Sequence, residues 1–198
     1  MSVTTRSSDD SAPVDPVAGH HAGAERERRT RLFGLALFIV AETMIFVPLF
    51  AIRFLLAGTS QPEGLRAGGT VVLTVVMAAS FAAMYGARRA ARRDSPSATA
   101  TGLWTAAVLG LVTAVGSGIA WTDPALDAAD HFGGVFYLTT GAHAVHLVLG
   151  AAFIAGLAVQ ARRGRFAGDD HTLVDVAYWF WAYLLVLFLA VDVIFFLV

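Results

Sequence analysis

Three side chains in this sequence could do acid–base or metal chemistry at a depth where such groups are rare: Glu42, His143 and His146. Glu42 sits midway along the apolar run Phe38-Ile39-Val40-Ala41-Glu42-Thr43-Met44. An ionisable group at bilayer depth costs on the order of 2.5–3.5 kcal/mol even on a lenient insertion scale. It should therefore face protein, where burial favours the neutral carboxyl. There it would serve either as a proton-linked node or as a carboxyl satisfied by a neighbouring helix. His143 and His146 lie three residues apart near the middle of another apolar run, on one side of a helix. Metal binding would require at least a third ligand, and Glu42 is the candidate at that depth. Bis-imidazole haem ligation needs His on opposing helices, whereas His20, His21, His131 and His171 fall in the tail or loops. Hydrogen bonding of the pair to Glu42 or to a neighbouring helix is the favoured reading, and no metal site is expected.

Five apolar stretches must position these residues, at about 32–52, 69–87, 102–121, 133–159 and 173–198. Each approaches the ~20 residues a helix requires to cross a bilayer. A lone strand of that length would leave its backbone unpaired in lipid. The expected fold is all-α: a polytopic bundle of five transmembrane helices over residues 32–198. Residues 1–31 are polar, hold His20-His21 and end in the charge run Glu25 to Arg31. They read as a disordered cytoplasmic tail. The loops run to roughly 11–16 residues and leave no room for a soluble domain.

Composition agrees. Of 198 residues, 57% are hydrophobic and 15% charged, against roughly 45–50% and about 25% in a soluble globule. The absence of Cys excludes disulfides, Cys zinc sites, iron–sulfur clusters and thiol nucleophiles. All 14 basic residues are Arg, which removes lysine chemistry, and a net charge of −1 provides no bulk field for nucleic acid. With the N-terminus inside, twelve Arg fall in inner segments and two, Arg53 and Arg66, in outer ones. This split orients the chain with its N-terminus cytoplasmic and its C-terminus outside.

Aromatic residues fit the same register. Trp104 and the Tyr178–Tyr183 cluster, with Trp179 and Trp181, fall at inner ends, and Trp121 at an outer end. Arg53 is placed to snorkel, and Asp175 and Asp192 lie near opposite ends of the last span. Asp123, Asp127, Asp130 and His131 make the third loop acidic, either as a solvated loop or as a patch for a basic partner. Small residues recur every fourth position at Ala106, Gly110, Ala114 and Gly118, and at Ala78, Ala82 and Gly86. That spacing lets helices approach closely, within the chain or against a larger partner.

Two of these segments carry a resemblance to a known family. Gly34-Leu35-Ala36-Leu37-Phe38-Ile39-Val40-Ala41-Glu42-Thr43-Met44-Ile45-Phe46 resembles the motif G-x-x-x-F-I-x-S-E-x-M-x-F of cytochrome c oxidase subunit III, with Ala41 for Ser. Phe136-Tyr137-Leu138-Thr139-Thr140-Gly141-Ala142-His143-Ala144-Val145-His146-Leu147-Val148-Leu149-Gly150 resembles F-Y-x-x-T-G-x-H-G-x-H-V-x-x-G, with Ala144 for Gly. The exit Arg162-Arg163-Gly164-Arg165-Phe166 is similar too. The last helix departs: in place of Y-W-H-F-V-D, Phe180 stands for the His and Tyr183 for the Asp. The third helix lacks a Glu often found near its outer end. The chain resembles the short, five-helix form of the family, in a divergent branch such as the proteins associated with nitric oxide reductase.

The resemblance implies a non-catalytic accessory subunit of a respiratory haem-copper oxidase in the bacterial plasma membrane. It implies haem and copper in partner subunits and none on this chain. It further implies packing on catalytic subunit I and on subunit II, phospholipid in a cleft, and support for stability and proton uptake. Glu42, His143 and His146 would form the polar node. A small proton-linked transporter is a rival, but it predicts an inverted repeat, and five spans do not divide into equal halves. A membrane metalloenzyme using Glu42, His143 and His146 is the other.

Overall fold

In a computed structural model, residues 16–66, 68–166 and 171–197 are described, with side chains from Glu25 onward. The polar residues 1–15 and the side chains of His20 and His21 lie outside that description. Among the described residues all regular structure is helical: α1 (Pro16–Ala57), α2 (Gly68–Ala91), α3 (Pro96–Ala120), α4 (His131–Arg162) and α5 (Thr172–Asp192), which runs on through a π turn at Val193–Leu197. Five of these segments are long and apolar enough to cross a membrane.

The first helix begins at Pro16, well before the expected start near residue 32. The charge run explains the extension. Arg29 binds Glu25 at 3.0 Å and Arg31 binds Glu27, both with Glu one turn ahead of Arg, the orientation that supports a helix by about 0.2–0.5 kcal/mol per pair. At its other end α1 stops at Gly58, which adopts φ +60° and donates to Phe54 O at 3.1 Å; only glycine takes this conformation without strain.

The core lies among α2, α3, α4 and α5, and α1 leans on α4 and α5 from outside. Phe33, Leu37, Val40, Met44 and Val47 of α1 point away from the bundle, as expected of a helix facing lipid or another subunit. On α2 the buried residues are Met77, Ser80, Met84, Ala87 and Ala91. The small residues Ala78, Ala82 and Gly86 instead face outward.

The centre of the bundle is Trp181, fully buried on α5. Its Nε1–H donates to Ser80 Oγ at 3.0 Å, and that hydroxyl donates to Ala106 O at 2.7 Å, so one chain of bonds joins α5, α2 and α3. The expected place for Trp181 was an interfacial belt. The structure corrects this: flanking glycines, Gly110 on α3 and Gly150 on α4, leave the space its indole fills.

Candidate functional site

Glu42 and His146 meet between α1 and α4, with His146 Nε2 2.6 Å from Glu42 Oε2. The other ring nitrogen, Nδ1, donates to Ala142 O one turn back, at 2.7 Å. Phe46, buried, presents its ring to His146 at 5.6 Å.

This geometry limits the proton count. A carbonyl only accepts, so Nδ1 carries a hydrogen. Nε2 then either accepts a proton from a neutral carboxyl or, as imidazolium, donates to a carboxylate. In both states one proton lies on the shared bond and the pair has no net charge. Such a pair can sit at bilayer depth and can move a proton between its members without changing its net charge.

His143 does not join it. Its Nε2–H donates to Leu184 O on α5 at 3.1 Å, and its ring packs against Phe188. The three residues therefore form two separate sites. Among the described residues no group of three His, Asp or Glu is placed to hold a metal ion.

The Glu42–His146 pair opens onto a cleft of about 640 Å³ between α1, α4 and α5. Its walls are largely apolar, with Phe38, Phe153 and Phe180 among them, and Arg31 stands at its rim. Phe180, in the position of the family's His, faces Phe38 at 5.8 Å across this space. The Tyr183 hydroxyl is buried without a hydrogen-bond partner among the described residues.

With the shared proton on the carboxyl, Glu42→Gln is expected to leave the thermal midpoint in detergent within about 1 kcal/mol of the parent, because the amide still donates to Nε2. Glu42→Leu leaves that nitrogen without a donor and is expected to cost about 1–3 kcal/mol. A Gln variant as damaged as the Leu variant would place the shared proton on the imidazole.

Of the small-residue stripe on α3, the structure buries Ala106, Gly110 and Ala114. Gly118 departs from the expectation, since a Cβ added there meets nothing within 4 Å. Gly102, one step earlier, makes the close approach instead, and its added Cβ would meet Ala87 Cβ at 2.8 Å.

Two charged residues play larger parts than their sequence positions suggested. Arg53 does not snorkel but is fully buried. It donates to Gly58 O at 2.6 Å and Ser60 O at 3.1 Å, with its guanidinium 4.6 Å from the Phe132 ring. At the opposite end Asp175, buried on α5, binds Arg88 Nε at 2.6 Å and Arg92 Nη2 at 3.2 Å, and lies 3.9 Å from Arg28 Nη2. The signal for this cluster was an Asp placed at the end of the chain's spans where the Arg gather. Arg53 had no comparable signal.

In the acidic loop, Asp123 accepts backbone N–H bonds from Ala125 at 3.0 Å and Arg66 at 3.1 Å. The Ala125 bond, then those of Arg66, hold its carboxyl below the ordinary range. This link between loops is thus strongest above the usual carboxylate pKa and loosens as pH falls through the lowered value.

Residues 10–198 match the model of the family described as cytochrome c oxidase subunit III. The chain belongs to this family. Cytochrome c oxidase subunit 3 of Thermostichus vulcanus is 26% identical over 158 residues, which cover 76% of the chain and 79% of the relative. The Drosophila yakuba protein is 23% identical over 170 residues, covering 79% of the chain and 65% of the relative. A probable cytochrome c oxidase subunit 3 of Rickettsia bellii is 26% identical over 193 residues, covering 85% of the chain and 69% of the relative. The chain thus spans 65% of the fly protein's length. The family and the five long apolar helices make it a multi-pass membrane protein.

Proposed function

We propose that the chain is a non-catalytic subunit III of a respiratory haem-copper oxidase, serving aerobic electron transport in a bacterial plasma membrane. The Glu42–His146 bond carries the reading. It joins the two motif-bearing helices by a pair that is neutral overall. Haem and copper belong to the partner subunits, with subunit I, and subunit II beside it, packing against this chain. The outward apolar side of α1 and the small-residue row Ala78, Ala82 and Gly86 on α2 are the surfaces suited to such packing. Phospholipid acyl chains suit the apolar cleft, with Arg31 at its rim to meet a headgroup phosphate. The Arg-rich end faces the cytoplasm under the positive-inside rule, and the shared proton of Glu42 and His146 supports proton uptake by the complex.

Purification of the tagged chain from native membranes in mild detergent, followed by a visible spectrum, tests this. Co-purifying haem with oxygen-consuming activity is the expected result. A chain that purifies without haem and moves a substrate in liposomes alone would overturn it. The replacements Phe180 and Tyr183 favour a second reading, a subunit associated with nitric oxide reductase. In that case the purified complex would consume nitric oxide rather than oxygen.

A further inference from the structure

A second polar site lies inside the bundle, apart from Glu42 and His146. Near the loop-bearing ends of α2, α3 and α4, a cavity of about 30 Å³ is lined by Thr70, Ser117, Thr140, His143 and Asp192 among apolar neighbours. A water molecule requires roughly 10–15 Å³ of such space and two to four polar partners, so one or two fit.

Three groups of the lining offer acceptors. The Ser117 hydroxyl donates to Thr113 O at 3.0 Å, and that of Thr140 donates to Phe136 O at 2.6 Å. Both protons are committed to their own helix, and Thr140 Oγ1, which also accepts Trp121 Nε1–H at 2.9 Å, keeps one lone pair free. His143 uses its Nε2–H on Leu184 O, which leaves Nδ1 as an acceptor. Water, with two protons to donate, is the ligand that complements such a lining.

Asp192 holds a proton of its own, on its contact with Thr74. Thr74 Oγ1 lies 2.9 Å from Thr70 O and 2.7 Å from Asp192 Oδ2. One hydroxyl proton cannot serve two acceptors. Both contacts become hydrogen bonds when the carboxyl is protonated and donates to Thr74, which then donates to Thr70 O. Asp192 and His143 are the titratable groups in the lining, so no other charge competes for this proton.

We propose that bound water in this cavity bridges a protonated Asp192 to Nδ1 of His143, making a proton-exchange pair distinct from Glu42 and His146. In the exchange the carboxyl O–H turns from Thr74 to the water, its O–H bond breaks and its proton passes to the water, while the Thr74 hydroxyl turns from Thr70 O to donate to the carboxylate. The water gives one of its own protons to Nδ1. The products are aspartate and imidazolium, with net charge unchanged and no redox step.

The test uses the full chain in lipid bilayers. The infrared absorption of protonated carboxyls at neutral pH is expected to lose a component in Asp192→Asn that Glu42→Gln retains. With nitrogen-15 histidine, a magnetisation-transfer peak from water to the His143 nitrogen, assigned by His143→Gln, is expected in the parent. Ser117→Val, which fills the cavity, is expected to abolish it. If Asp192→Asn fails to fold, Thr74→Val removes the proton acceptor and is expected to shift the same carboxyl band. Superimposable carboxyl spectra for the parent and whichever of these variants folds, or no water peak at His143, would overturn the proposal.

Discussion

Gly110→Leu is expected to lower the thermal midpoint of the isolated chain in detergent substantially, whereas Gly118→Leu should leave it nearly unchanged. A Cβ on Gly110 would run directly into the Cζ2 and Cη2 edge of Trp181. That indole cannot retreat, because Gly150 of α4 closes its other side, where an added Cβ would lie 2.8 Å from Cζ3. Its Nε1 is also tied to Ser80. Overpacking a rigid core by a few methylenes costs about 1–3 kcal/mol, and a whole Leu against two fixed helices should reach the upper end or beyond. For a chain of this size that corresponds to a drop of roughly 6–12 °C. In lipid, close packing replaces the hydrophobic drive between helices, so the loss is not recovered elsewhere. Gly118 belongs to the same four-residue repeat but meets nothing within 4 Å. Equal damage at both positions would remove the argument from Trp181 and leave only a general intolerance of Leu on α3.

The contrast between Gly110 and Gly118 shows what a repeat can and cannot reveal. Four residues advance a helix by about 400°, so a strict four-residue stripe drifts about 40° per step around the axis. Over the three steps from Ala106 to Gly118 it turns off the buried side. The buried positions follow mixed steps of three and four, as at Thr99, Leu103, Ala106, Gly110, Thr113 and Ser117. Near its end α3 meets α2 through Gly116, whose added Cβ would strike Leu73. The row Ala78, Ala82 and Gly86 similarly signals that something can come close, not that α2's partner within the chain does.

The two histidines teach a related lesson. Three residues along a helix leave side chains about 60° apart, enough for His146 to reach Glu42 on α1 while His143 reaches Leu184 on α5. The five spans were legible because apolar length determines them, whereas the sequence left Glu42 and a neighbouring helix as alternative partners for the histidines, and the structure gives one to each. The burial of Arg53 was not legible, because the groups its two terminal nitrogens bind are the backbone carbonyls of Gly58 and Ser60, which any sequence supplies.

Asp175→Asn is expected to be the most damaging charge substitution at the Arg-rich end of the bundle. The carboxylate is almost completely shielded, with 7% of its side chain exposed, and Arg88 is the more sheltered of its partners at 21%. Arg28 and Arg92 are about half exposed, so solvent and salt screen their share. Asp175 also sits in the first turn of α5, where the helix dipole favours negative charge. Losing one partner of a hydrogen-bonded charge pair exposes the other to an unmet desolvation cost. With two of the three cations half solvated, the expected loss is about 2–3 kcal/mol. Arg88 has one compensation, its guanidinium 4.3 Å from the Tyr178 ring. A double-mutant cycle separates ion pairing from packing. The combined Arg88→Met and Asp175→Leu replacement should cost less than the sum of the two single changes, because an apolar pair of similar volume can replace a buried ion pair at little cost. Strict additivity would show that Arg88 and Asp175 act independently and that α2 and α5 are joined there by packing alone.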